Sequence, residues 1–139
     1  MKRPGGDRGT VALFTTIFAM FVLILAGLLV DGGLTIHARQ RAADIAEQAA
    51  RAAADTVDVA YLRQTGKARI VNSSAPCRRA RLLAARYPEV TGQIQCDTSG
   101  GQSARVIVRI HVKFQLLSAF GFSDMTMSSS ASAHPQEGI

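Results

Sequence analysis

Residues 10–30 read TVALFTTIFAMFVLILAGLLV, a run of apolar residues without a single charge. A helix of this length spans about 30 Å, which is the thickness of the hydrocarbon core of a bilayer. Its polar members are Thr10, Thr15 and Thr16, and threonine hydroxyls can bond to the backbone of their own helix. A soluble core helix would carry a polar face, which this run lacks. The run therefore predicts a single transmembrane helix over residues 10–30.

The charges on either side of the run predict its orientation. Lys2, Arg3 and Arg8 precede it, and Asp31 follows it before any arginine appears. Because cytoplasmic flanks are rich in Lys and Arg, residues 1–9 are expected to form a cytoplasmic basic leader, with the rest of the chain extracytoplasmic. The alternative is a cleaved secretory signal, although the run is longer than a usual signal core and no small-x-small site ends it.

The transmembrane helix is expected to continue into a long amphipathic helix, and the glycine pair Gly32-Gly33 at the junction either bends it or is simply tolerated. Residues 34–65 contain neither Gly nor Pro and are rich in Ala, Arg and Gln, so an amphipathic extracytoplasmic helix is predicted over residues 31–65. Small side chains let another backbone approach closely, so the narrow apolar stripe of this helix predicts an interface with partner helices. The alternative is that the stripe covers the chain's own sheet. The stripe consists of Leu34, Ala38, Ala42, Ile45 and Ala49.

Residues 66–134 are expected to form a small outer domain. The cap sequence Asn72-Ser73-Ser74 before Pro76 predicts a short helix that runs to Arg86. Residues 93–96 are a weak strand candidate, residues 105–116 alternate apolar and polar side chains most clearly, and residues 125–133 alternate with a thinner apolar face. Residues 135–139 form a polar tail. The predicted class is α+β, with one N-terminal transmembrane helix that continues into a long amphipathic helix, followed by a short helix and a small antiparallel sheet of about three strands.

The only two cysteines are Cys77 and Cys96, both on the side expected to face an oxidising compartment. A disulfide between them would close a loop and contribute about 3 kcal/mol, a large share of the stability of so small a domain. The alternative is a pair of unpaired buried thiols.

Catalysis and small-molecule chemistry find no support in the residues. His37, His111 and His134 stand at no recognisable catalytic spacing from a nucleophile or a paired acid. No phosphate-binding glycine loop follows a strand, and no cluster of ligands predicts a metal. We therefore expect no enzyme, no cofactor and no small-molecule substrate.

The net charge of +6 is spread along the chain. A basic surface patch is predicted on the short helix, and it consists of Arg78, Arg79, Arg81 and Arg86. These arginines are expected to be either solvated or in contact with lipid headgroups, and nucleic acid is unlikely because no aromatic residues for base stacking alternate with them. A membrane-tethered adhesion or DNA-capture module on the cell surface, acting through these arginines, is an alternative function for the chain.

Two motifs carry a resemblance to a known family. Val30-Asp31-Gly32-Gly33 is followed by Ala38-Arg39-Gln40-Arg41-Ala42-Ala43, and over roughly residues 8–55 the chain resembles TadE/TadG-like proteins. These are minor pilins, or pseudopilins, of tight-adherence (Tad, also Flp or type IVc) pilus systems. The resemblance implies a minor pilin-like or assembly component in the cell membrane or a surface pilus, with other Tad pilus subunits or assembly proteins as partners.

Proteins of this kind that a prepilin peptidase cuts carry a Gly before the cleaved bond and a Glu at the fifth mature position. Here Gly9 precedes Thr10, and the fifth position is Phe14. The glycine favours cleavage and the missing glutamate disfavours it. The expectation is that the bond between Gly9 and Thr10 stays intact.

Overall fold

One helix, α1, runs without interruption over Asp7–Ala54. The computed structural model describes residues 7–136, with side chains from residue 9 onward. The prediction that the transmembrane helix continues into a long helix is confirmed, because α1 runs through Gly32 and Gly33. The two glycines are tolerated there, since their cost of about 2 kcal/mol of helix propensity is small enough for packing on either side to override it. Most of the predicted basic leader over residues 1–9, including Lys2 and Arg3, and most of the tail over residues 135–139 lie outside the described residues.

The helix predicted over residues 31–65 is corrected to two helices. α1 ends at Ala54, and a separate helix, α2, covers Val59–Thr65. Between them Val57 forms an isolated bridge with Ile70, and the Asp58 carboxylate accepts a hydrogen bond from the backbone N–H of Tyr61 at 3.1 Å as the cap of α2. The break follows from pairing with a distant segment, which overrides the local helix propensity.

The outer part of the chain is an α+β unit, as predicted. Helix α3 spans Ala75–Ala84, and the strands are β1 (Gln95–Asp97), β2 (Ala104–Val112) and β3 (Met125–Ala133). The three strands form one antiparallel sheet with β2 at its centre. Every second residue of β2 is buried, which confirms the alternation. The predicted strand over residues 105–116 is four residues too long, because β2 ends at Val112 and a short 3-10 helix follows at Leu117–Phe120.

The core lies between the C-terminal half of α1 and the inner face of the sheet. Alanine dominates the helix side of this contact, and small side chains let the helix approach β2 and β3 closely. The largest fully buried apolar side chains include Ile45, Ile70, Val106 and Val108, all of modest size. The core of the outer unit therefore depends on α1 as well as on the predicted domain over residues 66–134. The buried residues of α1 in this core are Ala42, Ile45, Ala46, Ala49, Ala50, Ala53 and Ala54.

Candidate functional site

The N-terminal half of α1 is almost bare. Only 6% of its most apolar stretch is covered by the rest of the chain, whereas the core helix of a soluble protein is mostly buried. The hydroxyls of Thr15 and Thr16 donate to the carbonyls of Val11 and Ala12 at 2.8 and 2.9 Å, so these polar groups are satisfied within the helix. Within residues 7–136, α1 is the one helix that is long and apolar enough to cross a membrane.

Asp31 links this bare half to the sheet. Its side chain is fully buried, and its two carboxylate oxygens accept hydrogen bonds from the backbone N–H groups of Gln115, Leu116 and Leu117 at 2.9, 3.1 and 2.6 Å. These amides precede and begin the 3-10 helix at Leu117–Phe120, where free N–H groups need an acceptor. The carboxylate therefore fixes the connection between β2 and β3 to α1.

The connection between β2 and β3, the β2–β3 loop, covers residues 113–124. It lies against α1 at Gly27, where an added Cβ would stand 3.3 Å from the Cβ of Leu116. Gly27 thus permits a close approach of the loop to the helix one turn before Asp31. The sequence marked Asp31 only as a signal of orientation. Its position at the end of an apolar run was the available clue, because a buried carboxylate has to find hydrogen-bond donors.

The predicted helix interface is corrected at three of its five residues. Ala42, Ile45 and Ala49 are buried in the chain's own core, Ala38 packs against that core, and Leu34 is half-buried. The stripe covers the chain's own sheet because its small side chains let the sheet approach. A partner surface has to be sought on exposed residues elsewhere.

The disulfide prediction is confirmed. Cys77 and Cys96 are bonded, with their Cα atoms 5.6 Å apart, and they join α3 to β1. Because β1 is an edge strand, the bridge ties α3 to the edge of the sheet.

The four predicted patch residues, Arg78, Arg79, Arg81 and Arg86, are all exposed, three on α3 and one just after it. In the part of the chain that the structure describes, none of them takes part in an ion pair. Arg79 and Arg86 border one hollow together with Asp55, whereas Arg81 borders another.

The histidines lie apart from one another in the fold. His111 Nε2 is 3.1 Å from the carboxylate of Asp124, and His134 Nδ1 is 3.0 Å from the carbonyl of Gln102, while His37 is exposed on α1. Among the described residues, no group of three or more His, Cys, Asp or Glu is placed to hold a metal ion.

The predicted cleavage residues stand at the start of α1. Gly9 and Thr10 lie in its first turn, so the bond between them is helical. Phe14, which occupies the position of the missing glutamate, is exposed and stacks on Phe18 with 6.2 Å between ring centroids. The position that carries a charged glutamate in cleaved prepilins is therefore occupied by an exposed aromatic side chain.

Comparison with known families confirms the resemblance over the first helix. Residues 9–56 match the family model Tad, described as "Putative Flp pilus-assembly TadE/G-like". The comparisons with curated proteins and with solved structures returned no significant match. The matched segment coincides with α1 and the two residues that follow it.

Proposed function

We propose, with the match of residues 9–56 to the Tad family as the premise, that this chain is a minor pilin-like or assembly component of a Tad-type pilus. It acts without catalysis, through helix packing in the membrane or the filament. The observation that carries the proposal is the coincidence of the matched segment with α1, whose first half is bare and apolar.

The two halves of α1 have different tasks in this proposal. The half beyond Asp31 buries its small apolar side chains in the core of the chain's own outer unit, and its exposed face is mainly polar and charged, with Arg39, Gln40 and Glu47 among its residues. The half over residues 10–30 leaves its large apolar side chains exposed. Such a surface is compatible with lipid before assembly and with the helices of neighbouring subunits afterwards. Contacts with other Tad pilus subunits are therefore assigned to residues 10–30.

A photo-crosslinking amino acid tests this assignment in native membranes. Leu23 is exposed in the apolar half of α1, and Leu82 is equally exposed on α3, so the two positions form a matched pair. A crosslinker at Leu23 is expected to capture other Tad pilus proteins, identified by mass spectrometry, and one at Leu82 is expected to capture far less. Equal or stronger capture from Leu82 would contradict the assignment.

The proposed topology places the N-terminus in the cytoplasm and the sheet outside. It is supported by the basic residues before the apolar run and by the disulfide, which belongs in an oxidising compartment. A cysteine in place of the exposed Ser132 should react with an impermeant thiol reagent in intact cells, while a cysteine in place of Lys2 should react only after the membrane is opened. The reverse pattern would show that the orientation is inverted.

A membrane-tethered adhesion or DNA-capture module is the second candidate. The observation in its favour is that Arg78, Arg79, Arg81 and Arg86 are all exposed and take part in no ion pair of the described chain. Retention of DNA by the purified chain that weakens steeply with salt, and that a fourfold Arg→Ala variant abolishes, would favour this role. Absence of retention at low salt would remove it.

A further inference from the structure

The β2–β3 loop is unusually apolar for a surface connection. Residues 114–123 carry no charge, and they lie between Lys113 and Asp124. They hold three of the six phenylalanines of the chain, and the other three lie in the apolar run of α1. Phe120 and Phe122 are 46% and 58% exposed, and Leu116 is exposed beside them. An exposed cluster of large apolar side chains in a small unit marks a surface that contacts something else.

The position of the loop along α1 places it beside the outer surface of the membrane. The loop touches α1 at Gly27, which precedes Asp31 by four residues, or about 6 Å of helix rise. Gly27 belongs to the uncharged run that ends at Val30. Where residues 10–30 cross a bilayer, the part of the loop at Gly27 is level with the outer end of the membrane-spanning helix.

The loop is also held at that level. The Asp31 carboxylate binds three consecutive backbone amides of the loop, and the space at Gly27 is filled by Leu116. A loop attached to the helix at two points one turn apart cannot move away from the membrane unless α1 moves with it.

Six backbone N–H groups of the loop have hydrogen-bond acceptors within the chain, as contact with lipid requires. Non-helical backbone near the hydrocarbon region has to satisfy its polar groups internally. Beyond the amides that Asp31 binds, the N–H groups of Ala119, Gly121 and Phe122 donate to carbonyls within the loop at 3.1 to 3.2 Å. The tight turn that allows this ends at Gly121, whose φ of 86° suits glycine.

We propose that the β2–β3 loop is a second membrane contact of this protein, in which Phe120 and Phe122 enter the boundary between headgroups and acyl chains of the outer leaflet. The proposal rests on the proposed function to the extent that α1 has to cross the membrane. The aromatic side chains supply the apolar contact that interfacial segments use, and Lys113 and Asp124 remain at the polar side. The outer unit is thereby held against the bilayer at a fixed height on α1.

Tryptophan quenching tests the proposal, because the chain contains no Trp of its own. Full-length Phe120→Trp is reconstituted as single copies in nanodiscs of phosphatidylcholine whose acyl chains carry bromine near the headgroup. Phe14→Trp, near the opposite end of the apolar run, is the positive control. Leu82→Trp is the negative control, since it replaces an equally exposed apolar residue of α3 beside Ala52, about 37 Å along α1 from Gly27.

The expected result is that Phe120→Trp and Phe14→Trp both lose most of their emission relative to non-brominated lipid, while Leu82→Trp does not. If Phe14→Trp is quenched and Phe120→Trp is not, the loop contact is refuted while the membrane helix stands. If neither is quenched, the membrane anchor of the proposed function fails with it. Emission of Phe120→Trp that shifts to shorter wavelength only with two copies in a disc would show that a second copy covers the loop instead of lipid, and would overturn the proposal. Phe122→Trp repeats the test where Phe120→Trp fails to fold.

Discussion

Removal of the disulfide is expected to destabilise the outer unit strongly. The perturbation is the double variant Cys77→Ser with Cys96→Ser, which breaks a bridge between residues 19 apart in sequence. The entropy of closing such a loop in the unfolded chain corresponds to about 3 kcal/mol at 25 °C. In a unit of about 100 residues each kcal/mol shifts Tm by roughly 4–8 °C, so the expected fall in Tm is roughly 12–24 °C.

The composition of the core explains why the loss should be conspicuous. The helix side of the core is mainly alanine, so few large side chains remain to compensate for a lost crosslink. Small domains with thin cores generally depend on such bridges.

The assay is thermal unfolding of the full chain in detergent, followed by circular dichroism. The native protein treated with reductant should melt with the double variant, and the double variant should not respond to reductant. A double variant that melts within about 3 °C of the oxidised protein would refute the reasoning, because the bridge would then contribute less than about 1 kcal/mol. Alkylation of two thiols in the native protein without prior reduction would refute the bridge itself.

Four further predictions concern single features. Ala42→Trp should destabilise the outer unit by about 1–3 kcal/mol or more, since Ala42 is fully buried. The control Ile36→Trp, on the exposed face of α1, should leave Tm unchanged. If Ala42→Trp instead lost its partners at unchanged stability, the stripe would be an interface after all. Asp31→Asn should speed hydrogen exchange at the amides of Gln115 to Leu117, and unchanged exchange there would show that the carboxylate does not hold the loop. The backbone N–H of Tyr61, and then the guanidinium of Arg69, hold the pKa of Asp58 below its usual value. The contribution of Asp58 to stability is therefore present above about pH 4 and is lost as the pH falls through the lowered pKa. Tm measured from pH 6 down to pH 2.5 should fall more steeply for the native chain than for Asp58→Asn, and parallel curves would contradict this. The bond between Gly9 and Thr10 should stay intact, which N-terminal sequencing of membrane-extracted protein checks; a sequence beginning at Thr10 would show processing.

The features that could be predicted from the sequence are those with a local signal. The uncharged run over residues 10–30 and the alternation along β2 each reflect one environment repeated at a regular spacing. The pair of cysteines needed only the inference of an oxidising compartment. These features gave the α+β class and the disulfide correctly.

The features that were missed depend on contacts between distant segments. The end of α1 at Ala54 follows from the bridge between Val57 and Ile70, which no local propensity signals. The binding of the β2–β3 loop by Asp31 joins residues more than 80 positions apart. The stripe that includes Ala42, Ile45 and Ala49 on α1 was ambiguous for the same reason, since small side chains permit close packing against a partner or against the chain's own sheet.

Electron microscopy of the native bacterium tests the central proposal, that this chain is a membrane-anchored component of a Tad-type pilus. Surface filaments are counted in a strain that lacks the gene and in the same strain complemented with the full chain or with a secreted form without residues 1–30. The account predicts that filaments are lost on deletion, return with the full chain and do not return with the secreted form. Unchanged filament numbers in the deletion strain would contradict it.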